Sequence, residues 1–382
     1  MTILIAMDKF KASLTAGEAC NAVKTGIYKA AKDINTIIHP VADGGEGSLE
    51  AISEDIKAKR IDMCVNGPCG KKVPAYYLLN KDKAYIELAL ASGLQLVPGN
   101  KRNPLYTTTT GTGMLISDAI KRGAKDIFLF VGGSATNDAG IGILKALGFN
   151  FLDKNGKELY PSGNKLIKIH HIDSTGNTVP QSIKFHILTD VLNPLYGDQG
   201  AAYIYASQKG ASASEISLLD KGLQHFSALV KNKYKRDIAN AKGSGAAGGV
   251  AAGLSAFFDV EIKSGIKEIL KITGFEKKLK NVDIVITGEG KVDNQSLSGK
   301  AISEILLLAR KYNIKPVLFA GIINEDIIAK LDVFYYDSII KHAKSHDDAI
   351  DNARFWLEKM SIEFIQKTTE PLIRQDITKQ KL

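Results

Sequence analysis

Cysteine is scarce in this chain, with three in 382 residues: Cys20, Cys64 and Cys69. An odd set cannot pair completely, and its spacing forms no disulfide framework. Cys64 and Cys69 flank Asn66-Gly67-Pro68, which reads as a turn rather than a metal knuckle. No apolar run reaches the length that spans a bilayer. The N-terminal TILIAM stretch ends at Asp8 and Lys9, too early for a signal peptide. The expectation is a reduced, cytoplasmic protein with no membrane partner. The net charge is +9, yet Lys and Arg are scattered among Asp and Glu and no basic run is interleaved with aromatics. No nucleic-acid partner is therefore expected. A lysine-rich solvated surface with a mild positive field would attract small anions instead.

Several chemical signatures are also missing. There is no G-x-x-x-x-G-K-[ST] loop and no G-x-S-x-G elbow. Gly243, Gly245 and Gly248 match G-x-G-x-x-G, but no clear strand precedes them and neither V-A-I-K nor H-R-D occurs. Close helix–helix packing is the expected reason for those glycines. His342 and His346 stand four apart without an evident third ligand, which reads as a solvated face.

What is present is the alternation of an α/β protein. At 382 residues, 45% hydrophobic and 24% charged, the chain is long enough for two globular domains. Ile3–Ala6 reads as a strand, and Thr15 and Glu18 as a capping box before a helix from Ala16 to Ala31. TIIHPV is a second strand, and residues 59–87 read as an antiparallel meander. DIFLF (Asp126–Phe130) is a buried strand that empties into VGGSATNDAG and a helix. Residues 152–179 carry little signal. FHIL ends at Thr189-Asp190, the GSGAAGG stretch opens a helix, and strict strand–helix alternation resumes after Asn281. We expect a discontinuous Rossmann-like parallel-sheet domain, residues 1–65 plus 283–382, with a second α/β domain, 66–282, inserted in it. The first boundary could instead fall near 92.

Ligands of open α/β sheets sit beyond the carboxyl ends of the strands. Four predicted strands here end in an acid followed by glycines or short polar residues, at Asp8, Asp43, Asp190 and Glu289. Carboxylates gathered in one crevice repel, so a divalent cation or a proton-transfer role is implied. Lys11 and Lys300 stand before predicted helices, where a cation is disfavoured unless it faces an anion. The pattern suggests a Mg²⁺-bearing crevice with phosphate-cradling turns.

The same turns, in the same order, resemble the bacterial-type glycerate kinases. The segments that carry the resemblance include DKFKASLTA, PVADGGEGS, NPLYTTTTGTG, GGSATNDAG, LTDVLNPLYGDQGAA, QKGAS and VITGEGKVDNQSLSGK. They span nearly the whole chain. The resemblance implies ATP-dependent phosphorylation of D-glycerate, at C2 or C3, in a cleft of a two-domain α/β protein with ATP and Mg²⁺ as cofactors. A homodimer is compatible with it. Lys9, Thr110 and Ala320–Ile323 depart from the family's pattern without touching the acids. On this resemblance and the strand-tip positions, Asp190 is the expected general base, with Asp43 second and Lys11 beside them in the catalytic group. Glu289 and Asp293 are the expected Mg²⁺ ligands. Asp8, Ser13, Gly44, Gly45, Glu46, Gly132, Gly133, Ser134, Asn137, Asp138, Asn193, Gly288, Gln295 and Lys300 are expected to bind substrate or nucleotide. A non-catalytic binder of a phosphorylated metabolite is the alternative, although an anion binder gains nothing from four acids. A nucleotide-dependent oxidoreductase fits less well, because no G-x-G-x-x-G follows the first strand.

Overall fold

The computed structural model describes residues 1–297 and 299–379, without the side chains of Gln295, Leu297 and 369–379. The chain opens on β1 (Thr2–Met7), whose last five residues are buried. The helix Ala16–Ala30 then starts on the expected capping box. The Glu18 N–H donates to Thr15 Oγ1 at 3.2 Å, and the Thr15 N–H donates to Glu18 Oε2 at 2.8 Å. β2 (Asn35–Ile38) runs parallel to β1. The backbone follows β1 further, since His39 N–H donates to Ile5 O and Val41 N–H to Met7 O. Asp43 thus stands beyond the end of β2 rather than at its tip.

β3 (Lys59–Asn66), β4 (Lys72–Asn80) and β5 (Lys83–Glu87) form the antiparallel meander. β6 (Asp126–Phe130) joins β5 in parallel. The polar stretch after it is less irregular than its composition suggests: β7 (Asn150–Leu152) and β8 (His171–Asp173) pair as a short antiparallel ribbon. β9 (Lys184–Leu188) and β10 (Asp259–Lys263) complete a six-stranded sheet in the order β10-β9-β6-β5-β4-β3. Its core sets Ile127, Leu129, Phe185 and Ile187 among Leu115, Phe226 and Val250.

Past Asn281 come β11 (Ile284–Gly288), β12 (Lys291–Val292), β13 (Lys315–Ala320), β14 (Ile322–Ile323) and β15 (Tyr335–Ser338). β11, β13 and β15 join β1 and β2 in a five-stranded, wholly parallel sheet ordered β15-β13-β11-β1-β2. Ile3, Ile5 and Met7 pack in the same core as Val23, Ile27, Leu357, Met360 and Phe364.

These are two compact units: Met1–Asp43 with Glu50–Asp55 and the chain from Ile269 on, and Gly44–Leu49 with Ile56–Glu268. The crossings fall earlier than residues 65 and 283. β3 is hydrogen-bonded along β4, which takes it into the second sheet. Ile269 onwards belongs to the first unit because Thr273 and Lys278 bond to His39 (3.0 and 2.9 Å) and Phe275 packs on its ring.

The G-x-G-x-x-G stretch does not open a regular helix. Within Ala246–Ser255, Ala247, Gly248 and Gly249 are left-handed, with φ of 52°, 69° and 93°. A Cβ on Gly248 would stand 2.5 Å from Asn137 Cα. Its glycine therefore lets two backbones meet, but the neighbour is the Thr136-Asn137 loop rather than the second helix that the packing reading expected.

Candidate active site

In the first unit the sheet changes direction between β1 and β11: the chain moves to one side for β2 and to the other for β13 and β15. Such a switch point leaves a crevice beyond the carboxyl ends of the two central strands. The residues that follow those strands are Asp8 and Glu289. A cavity of about 380 Å³ lies there, lined by Asp8, Asp43 and Glu289 together with Lys9, Lys11 and Ser13. Burial, then the Asp43 charge, pushes the Asp8 carboxyl up to about 8, against the opposing Lys9 N–H that donates to Asp8 Oδ1 at 2.6 Å. Burial also raises Glu289, although Ser296 Oγ donates to its Oε1 at 2.5 Å and the Lys300 charge opposes the rise. Asp293 lies near enough to Glu289 to raise it further, and pairs with Lys291 at 3.4 Å.

This is a set of oxygen donors whose mutual repulsion a hard divalent cation would relieve, so Mg²⁺ fits the residues present. The expected ligands Glu289 and Asp293 belong to it, and Asp8 and Asp43 join them. Ser13 spends its hydroxyl locally, donating to Ile350 O at 2.5 Å. Gly288 is the last residue of β11, packed against β13. Gln295 has its side chain outside the described residues. His342 departs from the solvated face expected of it. Its Nε2 bonds Asp337 Oδ2 at 2.8 Å and its ring lies over Trp356, whereas His346 is exposed. Glu363 brings a third donor within 4.8 Å, and Lys367 pairs with it at 3.6 Å, supplying countercharge without an ion.

In the second unit, β5, β6, β9 and β10 are parallel and their carboxyl ends share one edge. Gly44-Gly45-Glu46-Gly47 is held there by Glu87, which accepts from Gly47 N–H through Oε1 and from Leu49 N–H through Oε2, both at 3.2 Å. Gly132 N–H donates to Gly44 O, and a Cβ on Gly132 would stand 2.5 Å from Gly45 Cα. The two glycine turns are therefore in backbone contact, which only glycine allows. Gly133 lies against the Glu46 side chain. Asp190 completes this edge: its Oδ1 accepts from Ser264 Oγ at 2.7 Å and from Gly265 N–H at 3.0 Å, and Gly265 abuts Gly44.

Of the remaining candidates, Ser134 accepts from Lys209 Nζ at 2.8 Å, and the same ammonium donates to Thr136 O at 2.7 Å. Burial pulls Lys209 down to about 7. Asn137 is buried, and among the described residues neither of its side-chain polar atoms has a hydrogen-bond partner. Asp138 faces inward. It accepts from the N–H groups of Thr109, Gly140 and Gly142 and from Thr109 Oγ1, so it fastens the Thr110–Lys121 helix to the glycine turn. Asn193 is also engaged, donating to Gln199 O and accepting from Tyr205 OH.

Four residues that hold these groups escape the sequence reading: Glu87, Lys209, Ser264 and Ser296. Glu87 and Ser264 sit at strand ends, the signal that picks out Asp8 and Glu289. Lys209 and Ser296 lie inside the QKGAS and VITGEGKVDNQSLSGK segments without a role assigned to them there, and the partners of Lys209 lie more than seventy positions away.

The chain is similar to known proteins over nearly its whole length. Residues 3–369 match the model of the glycerate kinase family. A glycerate kinase of Halalkalibacterium halodurans is 39% identical over 363 residues, 94% of this chain and 96% of its own. A glycerate 2-kinase of Escherichia coli K12 is 41% identical over 331 residues, covering 86% of this chain and 87% of its own. A crystal structure from Salmonella typhimurium LT2, described provisionally as glycerate kinase 2, superposes with a TM-score of 0.78 at 35% identity, covering 97% of this chain and 99% of its own. The chain belongs to the glycerate kinase family.

Proposed function

We propose that this enzyme transfers the γ-phosphoryl group of ATP to the C2 hydroxyl of D-glycerate, giving 2-phosphoglycerate and ADP. The observation that carries the reading is the convergence of Asp8, Asp43 and Glu289 with Lys9 and Lys11 on one cavity at the switch point. Buried and half-buried acids interleaved with lysines suit a metal–triphosphate and suit few other ligands. The choice of C2 is supported by the 41% identity to the E. coli glycerate 2-kinase. Bound with ATP, Mg²⁺ would supply positive charge to the transferring phosphate. Glu289, Asp293 and Asp8 would hold it, and Lys11 and Lys300 would add charge against the phosphates. Asp190 is the proposed base: it takes the proton of the acceptor hydroxyl as that oxygen bonds to phosphorus and the bond to ADP breaks. Ser264 and Gly265 fix its orientation, and the N–H groups of Gly44, Gly45 and Gly133 would offer donors to an anionic oxygen, Gly132 N–H being spent on Gly44 O.

Among the described residues no helix is long and apolar enough to cross a membrane. A cytoplasmic location and a homodimer belong to the proposal as well. The test is ADP release measured with MgATP and either D- or L-glycerate. Release that requires both Mg²⁺ and the D-enantiomer supports the reading, and release indifferent to glycerate refutes it.

A further inference from the structure

The cavity that holds Asp8, Asp43 and Glu289 has a second chemistry. Besides the acids and lysines, it is lined by Phe10, Ile322, Ala349, Ile350 and Ala353. These apolar residues are built on the segments that carry the charged ones. Phe10 follows Asp8 by two positions, in a turn closed by Phe10 N–H donating to Leu14 O at 2.8 Å. Ile322 N–H donates to Gly290 O at 3.0 Å, next to Glu289, and β14 pairs Ile322 with Lys291 of β12. Ser13 Oγ donates to Ile350 O, fastening the helix His346–Asp351 to the Lys11–Leu14 turn. Ile322 and Ile350 are partly exposed, so their side chains present apolar surface to the cavity.

We infer that Phe10, Ile322, Ala349 and Ile350 form the seat of the purine base of the phosphoryl donor. D-Glycerate carries oxygen on every carbon, and setting it against Phe and Ile would strand its hydroxyls without partners. A purine nucleoside triphosphate joins a broad apolar ring to a polyanionic tail, and this cavity offers both matching surfaces. Its volume of about 380 Å³ is that of a nucleoside-sized site, and its apolar residues stand beside its charged ones. The inference rests on the ATP-dependent reading and deepens it by naming the base subsite.

Photolabelling of the full-length protein with 8-azido-ATP and Mg²⁺, followed by peptide mass mapping, tests it without relying on turnover. Label in peptides containing Phe10, Ile322 or residues 346–353, competed away by ATP, supports the seat. Label confined to peptides within 56–268, or no ATP-protected label, overturns it. An Ile350→Trp variant, which fills the cavity, should raise the KM for MgATP about tenfold or more and leave that for D-glycerate within about twofold. A rise for D-glycerate alone also overturns the seat. Failure of the kinase reading shows separately, as absence of D-glycerate-dependent ADP release from the wild-type enzyme, while the labelling pattern still decides where the base sits.

Discussion

Replacing Lys209 by Met keeps the length and bulk of the side chain and deletes an ammonium that is only 4% exposed. Two consequences oppose each other. The hydrogen bonds to Ser134 Oγ (2.8 Å) and Thr136 O (2.7 Å) are lost, costing about 1–3 kcal/mol. The desolvation that lowers Lys209 from 10.5 to about 7 is relieved. A group depressed in the folded state contributes stability that is present above its unfolded value and is lost as pH falls through its folded value. Wild-type stability should therefore fall, relative to the variant, as pH drops from about 10 to about 7. The limiting slope is about 1.4 kcal/mol per pH unit. Relaxation around the amine reduces this, so we expect a relative change of about 2–3 kcal/mol between pH 9.5 and 7. Urea unfolding of both proteins at half-unit pH intervals measures it. Wild type should be the more stable at pH 9.5, with the gap closing or reversing by pH 7. A gap that stays constant across that range would refute the argument that burial depresses this lysine.

Other expectations follow from single positions. Asp190→Asn keeps an Oδ1 that accepts from Ser264 and Gly265, so the melting temperature should hold while kcat falls about 100-fold or more. Near-normal turnover would remove Asp190 from the base role. Gly132→Ala places a Cβ 2.5 Å from Gly45 Cα, where only backbone can yield, and should cost about 1–3 kcal/mol in thermal unfolding. Gly99→Ala meets open space and should stay within about 0.5 kcal/mol, which makes it the control. His39 is lowered to about 4 by burial and by the Lys278 charge. Lys278 can only donate, so His39 Nδ1 accepts from it and Nε2 carries the proton towards Thr273 Oγ1. Stability from His39 is present above pH 6.5 and lost as pH falls through about 4. His39→Gln should therefore flatten the acid limb of a pH–Tm profile over that range, and an unchanged limb would count against this assignment.

The sequence made much of this legible because local rules govern the strand ends. Apolar runs located the strands of both parallel arrays, and T-x-x-E located the first helix to within a residue. Asp8 and Glu289 do follow their strands directly. The misplacements have nonlocal causes. Asp43 reads as a strand tip because TIIHPV is mostly apolar, whereas β2 stops at Ile38 and single backbone bonds carry the chain on beside β1. β3 changes unit through its pairing with β4, which composition does not reveal. The solvated face expected of His342 gave way to Asp337 and Trp356, the latter on the last helix. Asp138 reads as a binding residue by type and motif, yet its hydrogen-bond partners at Thr109 turn it inward. Lys209 shows the limit most clearly: its charge is visible in the sequence, but its burial against Ser134 is a property of the folded chain.

The proposed reaction is phosphorylation of the C2 hydroxyl. Incubation with MgATP and D-glycerate in the presence of enolase, with phosphoglycerate mutase excluded, reads it directly, because enolase dehydrates 2-phosphoglycerate and not the 3-isomer. Phosphoenolpyruvate appearing in step with ADP is the expected result. ADP release without phosphoenolpyruvate would contradict the position of transfer, and no D-glycerate-dependent ADP release would contradict the kinase assignment.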